Sequence, residues 1–419
     1  MAGHPRVPGR YAAAVRSRAG RAMPALFAAD VVSTTGTEMS AVALPWFVLV
    51  TTGSPAQMAA VLAAEFLGIA VCGVPSGQLA TRLGPRRTML TADLSRALLI
   101  GAVPALHAMH LLSLPVLLVL AFAVGGFFPA YTSSQRLLMA GLVDDDERRL
   151  TRVSGLFGSV NETASFVGPA LGGVLVVAFG PSTVLVIDAA SYLVAFLLVA
   201  VAVPGVAAAP STEDDRDMLA GVRYLWRDGP LRRRILAVTV IGVGWTAMIA
   251  ALPVMALTDF AGGAALAGWF VAAYGAGSVC GGLISARATA TGDRAAAAAC
   301  AGIAASTWLL LIGSQWTVLA AVALNGVGAG LFYPRFFATL TVHTPPALRA
   351  KVMTTVTATL SAAGPVGFVG AGLLLEGTGS TTAAVLLTIT ASTTGAAIFA
   401  TTLRSRHPAP AANTAPAVE

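Results

Sequence analysis

Runs of about twenty apolar residues constrain this chain more than any other feature, because each is long enough to cross roughly 30 Å of hydrocarbon as a helix rising about 1.5 Å per residue. Twelve such runs are expected. In the first half they fall near 24–50, 56–80, 88–108, 113–140, 150–178 and 182–203. In the second they fall near 231–257, 263–287, 294–312, 316–342, 348–375 and 380–403, the ninth, opening on Ala295–Ala299, being the least distinct. Composition agrees: 11% of the 419 residues are charged and 56% are hydrophobic, whereas a soluble domain carries about 25% charged residues. An ordinary soluble enzyme is excluded.

The 26 Lys and Arg exceed the 19 Asp and Glu by seven. In a soluble chain that excess would suggest nucleic acid, but in a membrane chain the placement of basic residues encodes orientation. With the N-terminus inside, the loops near 81–88, 141–150, 204–231, 288–294 and 343–348 also lie inside. Together with the tails and adjoining helix turns they are expected to hold every Arg and Lys. The loops near 51–55, 109–112, 179–181, 258–262, 313–315 and 376–379 hold none. The expected fold class is therefore all-α integral membrane, with 12 transmembrane helices in two six-helix bundles and both termini cytoplasmic. The expected partners are the lipid bilayer and a small molecule, not nucleic acid, and the chain is expected to act as a monomer. Its single Lys351 against 25 arginines suggests a high-GC bacterial genome, hence a bacterial inner (cell) membrane.

The halves resemble each other. Phe128-Pro129 matches Tyr333-Pro334 at a shift of 205, and Arg152-Val153 matches Lys351-Val352 at 199, the longer acidic loop Asp144–Glu147 accounting for the difference. Bundles repeated in this way commonly flank a midplane site in secondary transporters. The expected organisation is a basic cytoplasmic tail (1–23) with no secretory signal, an N-terminal bundle (24–203), a linker (204–230), a C-terminal bundle (231–403) and a disordered tail (404–419). The linker carries Glu213, Asp214, Asp215 and Asp217, followed by Met218, Leu219, Val222, Leu225 and Trp226 at helical spacing, as an interfacial helix would.

Motifs point to a family. The segment Gly77-Gln78-Leu79-Ala80-Thr81-Arg82-Leu83-Gly84-Pro85-Arg86-Arg87 resembles motif A of the major facilitator superfamily, and Gly168-Pro169-Ala170-Leu171-Gly172-Gly173 resembles the antiporter signature of its drug-efflux members. Val42–Pro45 before Thr52–Pro55, Ile187–Ser191 and Gly221–Leu225 are similar to the branch of macrolide-type and siderophore exporters. The resemblance spans about 24–403 and implies the fold, alternating access and an inner gate at Gly77, Thr81, Arg82, Gly84, Arg86 and Arg87. Thr81 replaces the usual aspartate of motif A, with Asp93, one turn before Arg96, as a substitute, so both are counted with the gate. The fourth span also lacks the embedded arginine of many proton-coupled exporters, since Arg136 sits at its inner end. Independently of any family, small residues four apart, as in Gly73/Gly77, Gly168/Gly172 and Gly277/Gly281, permit close helix approach in lipid.

Ionisable groups inside spans are costly and are functional candidates by default. Five acids qualify: Asp30 and Glu38 in span one, Glu65 in span two, Glu162 in span five and Asp188 in span six. Asp30 and Glu38, eight apart with Thr34 and Thr37 between, are expected on one face. No Arg or Lys is expected at mid-span, so these acids are candidates for holding a proton, a cationic substrate, or each in turn. The second half offers aromatics instead: Trp245, Trp269, Tyr274, Trp308, Phe332, Tyr333, Phe336 and Phe337. Acids facing aromatics suit large, partly apolar molecules. Cys72, Cys280 and Cys300 and the scattered His107, His110 and His343 suggest no disulfide, metal site, cofactor or catalytic triad. The expectation is a proton-coupled exporter of a drug, antibiotic or secondary metabolite. A facilitator or importer is the alternative, and a membrane-embedded enzyme is less favoured.

Overall fold

The computed structural model describes residues 9–142, 147–204, 220–287, 293–345 and 348–404. Residues 1–8 of the basic tail, the acids Asp144–Asp146, the linker acids Glu213–Asp217 and the tail beyond 404 lie outside the described residues. In the first half the helices are α1 (Gly9–Thr52), α2 (Pro55–Leu83), α3 (Pro85–Ala108), α4 (Leu114–Leu142), α5 (Glu147–Phe179) and α6 (Pro181–Ala202). A short α7 (Ala220–Arg227) leads to α8 (Gly229–Thr258), α9 (Gly263–Arg287), α10 (Asp293–Trp308), α11 (Gln315–His343), α12 (Arg349–Ser361), α13 (Ala363–Thr378) and α14 (Thr381–Thr401). There is no strand among the described residues. Eleven segments among the described residues are long and apolar enough to cross a membrane. The other expected span lies in α1, whose apolar character is diluted by Asp30, the threonines after it and Glu38.

The element ends follow from local chemistry. Ser54 caps α2 by accepting from the Gln57 amide, Asp228 caps α8 through the Leu231 amide, and Pro55 fills the first helical turn, where its missing N–H costs nothing. Two sharp reversals use glycine before proline: Gly84 and Gly180 both take φ of +82°, a conformation other residues resist, ahead of Pro85 and Pro181. The weakest expected span forms as α10, extended by a 3-10 turn over Leu309–Ile312. The eleventh run is instead broken at Ala362 into α12 and α13. Pro365 explains the break, because it offers no N–H to the Ser361 carbonyl four residues earlier.

Helices α1–α6 pack as one bundle and α8–α14 as another, joined chiefly by two crossings: α5 lies against α1 and α9, and α13 lies against α8 and α2. Each crossing is made by a pair of glycines. A Cβ on Gly168 would sit 2.4 Å from Glu38 Cβ in α1, and one on Gly173 would sit 2.8 Å from the Ala264 carbonyl oxygen in α9. Gly367 and Gly372, 199 residues after Gly168 and Gly173, repeat the arrangement. A Cβ on Gly367 would approach Thr246 Oγ1 in α8 to 2.0 Å, and one on Gly372 would meet Ala59 Cβ in α2 at 2.4 Å. Backbones touch here because lipid supplies no hydrophobic drive for helix association, so close packing must supply it.

These crossings lie toward the end of the molecule that carries the arginine-free turns. There a carboxylate adds a polar latch: Glu376 Oε2 in α13 accepts from Ser54 Oγ at 2.8 Å and from the Ala56 amide at 3.3 Å, at the start of α2 in the other half. Toward the arginine-bearing end the halves part. Between Arg152 and Thr163, α5 is exposed around nearly its whole circumference, Phe157 being its one buried residue.

Two outcomes are expected. Gly125→Ala, whose added methyl would lie 1.9 Å from the Glu65 carbonyl oxygen within the N-terminal bundle, should lower the detergent-solubilised Tm by several degrees, as overpacking costs about 1–3 kcal/mol. Glu376→Gln leaves the fold intact and shifts the balance toward separation at the arginine-free end by roughly threefold to tenfold, as expected for weakened charge-assisted hydrogen bonds at a wet site. Spin labels at exposed Met109 and Trp316, on a background with the three native cysteines replaced, would report the widening; an unchanged distance distribution contradicts it.

Candidate functional site: an inter-bundle cleft and a buried polar core

The five expected acids do not form one site. Glu38 and Glu162 border the cleft between the bundles. They lie close enough for their charges to repel each other, and Glu162 reaches across to the second half, where Ser278 Oγ donates to its Oε2 at 3.4 Å. Gly168 permits this, since any larger residue there would push α5 away from α1 at Glu38. Gly275 likewise brings α9 onto the Ser165 carbonyl, a Cβ there meeting it at 2.4 Å. The antiporter-like segment is thus the packing point that sets the width of the cleft, with Gly172 against Met39 and Pro169 against Gly268.

The opposite wall is aromatic. Trp245 in α8 packs against Tyr274 in α9 with ring centroids 5.9 Å apart, and against Phe66 of the first half at 6.4 Å; Phe66 also meets Phe368 at 5.1 Å. Tyr274 senses the Glu162 charge electrostatically. The Trp245 indole N–H is buried without a protein partner, and its side chain borders a narrow pocket that runs into the second bundle past Asn325 and Thr307. Not all the expected aromatics contribute. Tyr333 lines that pocket from α11, but Phe332 stacks on Phe336 inside the second bundle, with Tyr333 and Phe337 edge-on to them, and Trp269 and Trp308 are half exposed.

Asp30, Glu65 and Asp188 belong to a separate core inside the first bundle. Asp30, which is buried, accepts from Gln135 Nε2 of α4 at 2.5 Å and from Thr34 at 3.4 Å. It therefore faces the bundle interior while Glu38, eight residues on, faces the cleft; the expected single stripe divides because eight residues overshoot two turns by about 80°. Thr37 joins the core side, bonded to the Tyr192 hydroxyl at 2.7 Å. Asp188 accepts from Ser191 Oγ at 3.3 Å beside Gly36, where a Cβ would lie 2.6 Å from its Oδ1.

The expectation that no cation reaches mid-span is overturned by Arg96. It lies midway along α3 and is 4% exposed. Its guanidinium sits 4.2 Å from the Tyr192 ring centroid, with Phe128 and Tyr131 at 5.7 and 5.9 Å, and donates to Thr37 Oγ1 at 3.4 Å. Nor do Asp93 and Arg96 stand at the inner rim with the motif A residues. Helix α3 begins at Pro85, so they lie roughly 12 and 16 Å along it, turned into the bundle. At the rim itself, Arg86 Nη2 donates at 2.6 Å to the Ala200 carbonyl in the last turn of α6, Gly84 forms the reversal and Arg87 is exposed. The side chains of Gly77, Thr81 and Arg82 lie outside the described residues. The second half has a different tie, an ion pair between buried Arg234 of α8 and Asp293 at the start of α10.

Known proteins agree with this architecture. The Major Facilitator Superfamily profile matches residues 26–257 and 234–419. The multidrug efflux pump Tap of Mycobacterium tuberculosis is 25% identical over 378 residues, covering 87% of this chain and 89% of that protein. The protein of the same description from Mycolicibacterium fortuitum is 27% identical over 371 residues, covering 84% and 89%. Among solved structures, the nucleoside transporter NupG superposes with a TM-score of 0.76 at 10% identity, covering 91% of this chain and 99% of that one. A bacterial homologue of the human lysosomal transporter Spinster, inward-facing and occupied, gives 0.69 at 14% identity, covering 92% and 96%. The chain belongs to the Major Facilitator Superfamily and is a multi-pass cell-membrane transporter.

Proposed function

We propose that this transporter exports a small, partly hydrophobic molecule, of the class of drugs, antibiotics or secondary metabolites, in exchange for protons. The observation that carries the reading is the cleft, where the carboxyls of Glu38 and Glu162 on one bundle face Ser278, Tyr274 and Trp245 on the other. Such a surface offers charge to an amine or other cation and ring faces to an apolar body, and an aromatic face itself attracts cations by about 0.5–2 kcal/mol. The arginine-bearing end is the cytoplasmic one, following the bias of basic residues in membrane loops. The cleft parts toward that end, so substrate is loaded from the cell interior. The relatives described as efflux pumps support the same direction.

Alternating access follows from the packing. The two glycine crossings and the Glu376 latch hold the arginine-free end shut while the other end stands apart. Rocking about those crossings exposes the cleft to the far side. Twelve spans, with α1 as the first, and a monomeric working unit complete the reading.

Proteoliposomes loaded with an imposed pH gradient and offered tetraphenylphosphonium or a macrolide test it. Wild type should concentrate at least one such compound, whereas failure to concentrate any of them against its own gradient would identify a facilitator. Glu162→Gln and Glu38→Gln should each cut transport of the cation at least tenfold, and Trp245→Ala should raise KM with less effect on kcat, because it removes binding shared by loaded and moving states. Unchanged rates in both glutamine variants would remove the cleft acids from the mechanism.

A further inference from the structure

The polar core of the first bundle is separated from the cleft, and its charges do not balance. Four carboxyls, Asp30 from α1, Glu65 from α2, Asp93 from α3 and Asp188 from α6, share one electrostatic environment with a single guanidinium, Arg96. Tyr131 and Tyr192 are the other titratable groups facing it, from α4 and α6. The one ion pair among the described residues is Arg234–Asp293 in the other bundle, so Arg96 forms none. Fully ionised, the core would carry three uncompensated negative charges inside the membrane, which burial strongly disfavours. The core therefore holds protons.

The geometry singles out where. Asp30 and Asp188 have hydrogen-bond donors, and Glu65 is only partly buried. Asp93 has none: it is 0% exposed and neither carboxyl oxygen has a partner. It lies three residues before Arg96 on α3, a spacing at which an acid and an arginine meet readily on a helix surface. Yet Arg96 turns away to the Tyr192 ring and Thr37, leaving its own Nε unpartnered as well. A pair placed to bond and standing apart is what a neutral carboxyl would leave.

We propose that Asp93 is a buried proton-binding site, occupied in this conformation, and that loss of its proton draws Arg96 off Tyr192 and Thr37 onto the Asp93 carboxylate. The proton leaves for the medium at the arginine-bearing end, and the new ion pair takes the place of the O–H bond. The movement reaches the cleft by a short route. Thr37 immediately precedes Glu38 and shares the Tyr192 hydroxyl that joins α1 to α6, beside the close approach of Gly36 to Asp188 and Ser191. Proton and substrate then occupy different sites, coupled through α1, and need not compete for one carboxylate. This deepens the exporter reading and rests on it.

The test needs no identified substrate. Spin labels at Met109 and Trp316 report the conformational balance of purified full-length protein in lipid nanodiscs between pH 6 and pH 8. In wild type, protonation of Asp93 favours the state described here, so low pH should hold it. Raising the pH should shift the population ratio at least tenfold toward separation at the arginine-free end, well inside the hundredfold limit for one proton over two pH units. Asp93→Asn, permanently neutral, should keep the labels close at every pH with less than a twofold change. Asp93→Ser carries the same expectation if the amide is not tolerated, while Glu38→Gln and Glu162→Gln should retain the wild-type response. A wild-type pH response in both Asp93 variants overturns the proposal, and a response lost only in the cleft variants moves the proton to the cleft. If Asp93 governs the conformational response but a pH gradient drives no transport, the exporter reading fails while this site stands.

Discussion

Everything in this fold depends on backbone touching backbone at two helix crossings. Between membrane helices there is no water to expel, so apolar side chains gain little by meeting one another, and association rests on close packing and the few polar contacts it allows. Here α5 and α13 each use one glycine to lie on a helix of their own bundle and another to lie on a helix of the opposite bundle. The separation of the bundles, the position of Glu38 beside α5 and the reach of Glu162 to Ser278 are all set by those contacts. A crossing without side chains between the backbones also has little to interlock, which suits surfaces that must move over each other.

The pseudo-repeat is geometric but not chemical. Gly168 faces Glu38, while its counterpart Gly367 faces Thr246; acids fill the interior of the first bundle, while the second has stacked aromatics and the amide of Asn325. Two copies of one architecture have divided the work. The first carries the titratable groups and the only mid-span cation among the described residues, and the second offers surface to an apolar body.

Much of the architecture was legible in the sequence because hydrophobic length and the placement of arginines are one-dimensional signals. The antiporter-like glycines were visible for the same reason, and the 199-residue shift that pairs Arg152 with Lys351 would also have led to Gly367 and Gly372. What was not legible depends on direction around a helix axis. Asp30 and Glu38 look like one stripe in a linear count, yet the accumulated turn sends them to different places. Arg96 was read as rim because its charge fits the inner-loop pattern, although three turns of α3 carry it into the bundle. The other members of that core, Tyr131, Gln135 and Tyr192, are ordinary residues in sequence and acquire meaning only when four helices bring them beside Arg96 and Asp30.

The latch at Glu376 has a consequence for speed. Its two hydrogen bonds sit at the aqueous rim, where solvent competes for every donor, and it closes onto a helix start already capped by Ser54. Such a seal is worth only a few times the thermal energy. Strong enough to bias which mouth is shut, it is too weak to become a kinetic trap, so the rate of turnover is left to the steps that load and discharge the interior.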